Sequence, residues 1–214
     1  MPLSKYRYIV VEGPIGVGKT SLAQRLADHA EAQLLLEKPQ DNPFLASFYQ
    51  DPVRYALPTQ LFFLFQRINE ARDMAQMDLF QSRTVSDYLF EKDALFARLT
   101  LSDDEYKLYQ TIYQGVAPRA PVPDLVIYLQ APTYALVERV RRRGNRYERS
   151  IQDDYLARLA DSYGEFFHQY DEAPLLVVNS EHLNFVDNDN DFQLLVERIG
   201  KMRGRREYFN VGGD

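Results

Sequence analysis

Five short apolar runs stand out along the chain: residues 6–11, Leu34-Leu35-Leu36, Thr84-Val85, residues 125–129 and residues 175–178. None alternates apolar with polar positions, which is the pattern of strands covered on both faces. Between them lie stretches with a helical period, at about 19–31, 43–51, 58–80, 89–99, 102–116, 133–143, 152–171 and 189–203. Ser102-Asp103-Asp104-Glu105 has capping-box spacing at one of these starts. Strand and helix alternate, which predicts a doubly wound α/β fold with a five-stranded parallel sheet flanked by helices. Leu61-Phe62-Phe63-Leu64-Phe65 is apolar on every side of its helix. Such a segment is buried on several sides, by core, by a second subunit or by both. Pro118, Pro121 and Pro123 mark a stiff connection before the fourth strand. Residues 208–214 read as a loosely ordered tail, leaving one domain over residues 1–207.

The first strand runs into Gly13-Pro14-Ile15-Gly16-Val17-Gly18-Lys19-Thr20-Ser21, and the next helix starts there. The spacing fits G-x-x-x-x-G-K-[ST], the phosphate-binding P-loop. Its glycines let the backbone curl so that successive N–H groups face phosphate oxygens. The helix that follows adds its partial positive charge. Lys19 is then a point charge for the outer phosphates, and the Thr20 hydroxyl a ligand for Mg²⁺. A strand before the loop and an amphipathic helix after it supply the context that the motif requires.

Composition narrows the setting. The chain has 214 residues, 45% of them hydrophobic and 26% charged, as in soluble globular proteins. It has no cysteine, which excludes disulfides and thiolate metal sites and favours the cytoplasm. The net charge of −6 offers no general attraction to nucleic acid. No apolar run is long enough to span a membrane, and no signal-peptide pattern opens the chain. His29, His168 and His182 have no metal-like spacing.

A P-loop implies a nucleotide and leaves the second substrate open. The guanine-reading N-K-x-D of GTPases is absent. Residues 138–149 carry six arginines, Arg139, Arg143 and Arg146 among them, and Gly144 offers a bend. Arginine matches phosphate oxygens bidentately, so this segment reads as a lid over about 139–151 in a phosphoryl-transfer kinase. A solvated helix end is the alternative.

With these motifs in this order, the chain resembles the deoxynucleoside kinase family over nearly its whole length. Leu35-Leu36-Glu37-Lys38-Pro39 ends the second strand where the family places a catalytic carboxylate. Asn42-Pro43-Phe44-Leu45-Ala46-Ser47-Phe48-Tyr49 is similar to the bacterial deoxyadenosine/deoxyguanosine kinase branch. Thr59-Gln60-Leu61-Phe62-Phe63 with Arg67 matches the base-reading glutamine and its arginine. The arginine segment matches the lid, with Glu148 at the position that binds the sugar 3′-hydroxyl and Tyr49 as its partner there. Asn184-Phe185 falls where the family wraps the adenine of ATP.

The resemblance implies a P-loop kinase fold and a homodimer. It further implies transfer of the γ-phosphoryl of ATP to the 5′-hydroxyl of a purine deoxynucleoside; Asp87, just after the third strand, is a candidate to hold Mg²⁺ with Thr20, or else a cap of the next helix. The chain departs from the family after the third strand. Ser86-Asp87-Tyr88 stands where E-R-S or D-R-S is usual, so the arginine that meets the reacting phosphate is missing. An ungapped alignment puts Lys92 at the base-binding aspartate, with Asp93 beside it. Two alternatives remain open on sequence alone: a thymidylate-type monophosphate kinase, and a nucleotide-binding regulatory subunit without catalysis.

Overall fold

The computed structural model describes residues 2–76, 83–116 and 120–210. Six strands form one parallel sheet in the order β2-β3-β1-β4-β5-β6. They are β1 (Tyr8–Glu12), β2 (Gln33–Leu35), β3 (Thr84–Ser86), β4 (Leu125–Gln130), β5 (Leu175–Asn179) and β6 (Arg206–Phe209). The helices are α1 (Lys19–Ala30), α2 (Leu45–Phe48), α3 (Pro52–Gln76), α4 (Lys92–Thr100), α5 (Asp103–Val116), α6 (Thr133–Arg143), α7 (Asp153–Gln169) and α8 (Asp189–Lys201).

Because strand residues alternate between faces, the apolar runs feed two cores. Ile9, Val11, Leu125, Ile127, Leu129, Leu176 and Val178 pack with α1 and α8. Val10, Val126, Tyr128, Leu175 and Val177 pack with Leu159, Tyr163 and Phe167 of α7 and Leu95 of α4. A third cluster joins α2, α3, α4 and α5 through Leu45, Phe48, Leu64, Ile68, Ala97 and Tyr109. The capping box forms: Glu105 accepts from the Ser102 N–H at 3.0 Å, and Ser102 Oγ accepts from the Glu105 N–H at 3.4 Å.

Several expectations change. The sheet has six strands, not five. β6 takes Tyr208 and Phe209 out of the expected tail, and residues 211–214 lie outside the described part. β2 is an edge strand, and β3 lies between it and β1. The 58–80 helix begins earlier, at Pro52, with Pro58 inside it. Its expected end at 77–80, and Pro118, fall outside the described residues. Among the described residues no helix is long and apolar enough to cross a membrane.

Candidate active site

All strands are parallel, so their C-terminal ends share one edge, where open α/β sheets bind ligands. Glu12 ends β1, Glu37 follows β2 by two residues and Asp87 follows β3 directly. The P-loop leaves β1 at this edge and turns into α1. Gly16, at φ +86°, has no room for a side chain: a Cβ there would stand 2.8 Å from the Leu136 carbonyl oxygen. The same holds for Gly13, where a Cβ would strike the Leu129 carbonyl.

A cavity of about 590 Å³ opens beside the loop. It is lined by Ile15, Lys19, Thr20 and Ser21 at one end and by Tyr49, Gln60, Arg67, Tyr155 and Glu148 further in. Glu37, Asp87 and Lys92 also line it. Asp87 joins two of these parts: it accepts from the Thr20 hydroxyl at 2.5 Å and from the Glu37 N–H at 2.7 Å. Asn42 ties the incoming loop to α3 by donating to the Thr59 carbonyl at 3.1 Å. Gln60 is buried, and its Oε1 has no partner in the protein. A buried carbonyl without a partner costs about 1–3 kcal/mol, so this one is poised for a ligand donor.

Glu37 is the electrostatic centre. Arg67 donates to its Oε1 at 2.5 Å and Lys92 to its Oε2 at 3.0 Å. Burial alone would push this carboxyl up. Lys92, Arg67 and Lys19 together outweigh burial and hold it well below the usual carboxylate range. Burial pushes the Lys19 ammonium below its ordinary value, and Lys92 adds to that, against Glu12, Glu37 and Asp87. Burial also raises the Tyr49 hydroxyl well above its ordinary value, so it meets a ligand as a neutral group.

A second cleft, about 610 Å³, lies on the far side of the loop, lined by Gly16, Val17, Gly18, Ser21, Arg139, Arg142, Arg143, Asn184 and Val186. Arg139 is tied there to protein, donating to the Ser180 carbonyl at 2.7 Å, to Ser180 Oγ at 3.2 Å and to the Val17 carbonyl at 3.4 Å. Arg143 lines both spaces and pairs with buried Glu148, with Nε at 3.0 Å from Oε2.

Four expected site residues or pairs are placed differently from the rest. Phe185 is buried in the core with α1 and α8, and its neighbour Val186 faces the cleft instead. Arg146 is exposed and lines neither space, because the 3₁₀ turn at Arg146–Glu148 carries it outward; Arg142, also exposed, borders the second cleft. Lys92 shares Glu37 with Arg67 and also pairs with Glu12, while its neighbour in sequence is bonded to Arg67 directly. That neighbour is Asp93: its buried carboxylate accepts from Arg67 and from the Tyr109 hydroxyl. Gly13 and Pro14 line neither space, and the Gly13 N–H is donated to Glu12 at 2.8 Å.

Glu12 itself escaped the sequence reading. It is wholly buried and accepts from Gly13 N–H, from Leu89 N–H at 2.7 Å and from the Tyr163 hydroxyl at 3.0 Å, with Lys92 Nζ at 3.4 Å. The one signal was a carboxylate closing an otherwise apolar strand, Tyr8-Ile9-Val10-Val11-Glu12.

A phosphate loop, a carboxylate facing it across a cavity and a polar pocket beyond define a P-loop phosphoryl-transfer enzyme. Comparison with known proteins narrows that class. Residues 9–202 match the profile described as deoxynucleoside kinase, and the chain belongs to that family, phosphotransferases acting on deoxynucleosides. It is 31% identical to a deoxyguanosine kinase of Bacillus subtilis over 200 residues, covering 91% of this chain and 97% of that protein. It is also 31% identical to a deoxyadenosine kinase of Lactobacillus acidophilus, covering 89% of this chain and 94% of the other. In fold it is similar to a deoxyadenosine kinase from M. mycoides solved with bound dATP: TM-score 0.79, 21% identity, 91% of this chain and 100% of that one.

Proposed function

We propose that this enzyme transfers the γ-phosphoryl of ATP to the 5′-hydroxyl of a purine deoxynucleoside. The observation that carries the reading is the single cavity shared by Lys19 and Thr20, by Glu37, and by Gln60, Tyr49 and Glu148. It gives one connected space for outer phosphates, an acceptor hydroxyl, and a base with its sugar. Two of the most similar relatives, the deoxyguanosine kinase and the deoxyadenosine kinase, act on purines. The Gln60 amide suits a purine edge, since it both donates and accepts.

The residues take these roles. The P-loop amides of Ile15 to Ser21, with Lys19, cradle the outer phosphates, and Arg143 closes over them. Asn184 and Arg139 border the cleft that takes the rest of the donor nucleotide. Glu37 orients the acceptor hydroxyl and receives its proton. The 5′-oxygen–phosphorus bond forms as the bond from phosphorus to the β-phosphate oxygen breaks, and the electron pair stays on ADP. Tyr49 and Glu148 hold the 3′-hydroxyl. Arg67, bonded to Asp93 and Glu37, backs the base pocket. That same commitment leaves Arg67 unavailable for an acceptor phosphate, which favours a neutral nucleoside over a monophosphate.

Thr20 and Asp87 fit Mg²⁺, because a hydroxyl and a carboxylate 2.5 Å apart beside the phosphate loop are the hard oxygen donors this ion takes. Mg²⁺ there would neutralise charge on the phosphates. The cysteine-free composition supports a cytoplasmic setting. A homodimer is supported by the stripe Leu61, Phe62 and Phe65 on α3, where Phe65 is exposed.

A screen of the four deoxynucleosides with ATP and Mg²⁺ tests the reading. Higher kcat/KM for deoxyadenosine or deoxyguanosine is expected. A higher value for thymidine than for both would overturn the purine assignment, and turnover with monophosphates alone would overturn the acceptor class.

A further inference from the structure

We infer that Lys92 is a catalytic residue of this kinase, the acceptor-side cation that contacts the phosphoryl group as it crosses from the P-loop to the substrate. The inference rests on the kinase reading above and adds a residue that the sequence had assigned to the base.

Three observations carry it. Lys92 opens α4, its side chain is 2% exposed, and it lines the cavity. Its Nζ stands between two carboxylates, one buried behind the loop and one lining the cavity. One is Glu12, 3.4 Å away, which holds the first N–H of the P-loop. The other is Glu37, 3.0 Å away, which faces the acceptor. The ammonium thus lies beside Glu37 at the wall of the cavity that also holds Lys19.

The other cations lining this cavity approach from elsewhere or face another partner. Arg67 is bonded to Asp93 and Glu37, Arg143 to Glu148, and Lys38 is exposed. Lys19 comes from the donor side. The segment Ser86-Asp87-Tyr88-Leu89-Phe90-Glu91, which leads from β3 to α4, holds no cation at all. In transfer, negative charge spreads over the equatorial oxygens of the phosphoryl group. Lys19 meets that charge from the loop and Arg143 from the lid, and Lys92 is placed to meet it beside Glu37. Its flexible four-carbon stem lets the head turn from Glu12 to a phosphoryl oxygen while it keeps Glu37. The rings of Tyr88 and Phe96, each 6.0 Å from Nζ, border the ammonium on its apolar sides.

A purely structural role predicts something different. Lys92 would then only tie α4 to Glu12 and Glu37, and its loss would lower stability without changing turnover per folded molecule. The experiment compares wild type, Lys92→Met and Lys92→Arg for kcat, for KM of ATP and of a deoxynucleoside, and for thermal melting. Expected is a kcat loss of about 10²–10³-fold in Lys92→Met, the size seen when one charge-stabilising donor is removed. Both KM values should move less than about fivefold, and Lys92→Arg should recover at least about tenfold in kcat. Lys92→Met strands two carboxylates and can fail to fold. In that case Lys92→Met/Glu12→Gln, which removes the buried pair together, is measured against Glu12→Gln alone, and the same loss is expected. A folded variant within about threefold of its reference in kcat, or a loss that lies in KM or that arginine does not relieve, overturns the role. Wild-type protein inactive on every deoxynucleoside overturns the kinase reading instead.

Discussion

Thr20 and Asp87, 67 residues apart in the chain, share a hydrogen bond of 2.5 Å at the mouth of the P-loop. The other oxygen of Asp87 accepts from the Glu37 N–H at 2.7 Å. One carboxylate thus links the hydroxyl that suits a metal to the backbone of the residue that faces the acceptor. Asp87→Asn should weaken Mg²⁺ binding by about 10–100-fold and lower kcat, while KM for the deoxynucleoside changes little. Titrating activity with Mg²⁺ checks this. An unaltered titration would leave Asp87 as a brace between Thr20 and Glu37 with no metal role.

Lys19 is held below its ordinary value, first by burial and then by Lys92. A base so depressed costs the folded state stability at neutral pH, because the unfolded chain holds the proton more tightly. Lys19→Met should therefore melt no lower than wild type at pH 7 while turnover falls by about 10²-fold or more. Calorimetry and initial rates on the same preparation test both halves. A cooperative melt at lower temperature would contradict the electrostatic account, and near-normal turnover would remove the P-loop lysine from the reaction.

Glu37 sits well below the usual carboxylate range because Lys92, Arg67 and Lys19 together outweigh its burial. Its ion pairs stabilise the fold above the ordinary carboxylate value, and that contribution is lost as pH falls toward the depressed one. Two outcomes are expected. The stability difference between wild type and Glu37→Gln should be constant from about pH 5 to pH 8 and should shrink only under more acidic conditions. The pH profile of kcat should show no Glu37 limb across that same range. An acid limb centred above about pH 5 that disappears in Glu37→Gln would refute the depressed value.

How much of this was legible depended on how local each signal is. The P-loop, α1 and the capping box of α5 are written in consecutive residues, and each forms as read. Gln60, Arg67 and Glu37 line one cavity, and each stands in or next to an element that a short apolar run made legible. Strand order is not local: nothing in Gln33-Leu34-Leu35 says that it pairs only with β3, and so at the edge. β6 was hidden because Arg206-Glu207-Tyr208-Phe209 opens on two charged residues where continuous apolar runs were sought. Glu12 gains its meaning from Leu89 and Tyr163, 77 and 151 residues away. A single-residue register decides the rest. Asp93 rather than Lys92 meets Arg67, and Val186 rather than Phe185 faces the cleft, since adjacent side chains on a helix or loop point apart.

Glu37 reaches the site from the margin of the sheet. It arrives two residues beyond an edge strand and is held in place by Arg67 on one oxygen, Lys92 on the other and Asp87 on its own N–H. General base catalysis contributes typically about 10²–10⁴-fold, and it weakens as the base departs from the working pH. A carboxylate this strongly held is a weak base, so its main service is orientation of the 5′-hydroxyl, with the proton leaving late in a loose transition state. Glu37→Gln keeps the shape and one acceptor oxygen but removes the charge. It should cost about 10²-fold in kcat, the lower end of that range, with KM for ATP nearly unchanged. Glu37→Ala, which also loses the orientation, should cost at least a further tenfold or so. Single-turnover rates for the two variants separate the effects. If Glu37→Gln retained kcat within about threefold while chemistry limits turnover, the acceptor would have to be oriented by some other group.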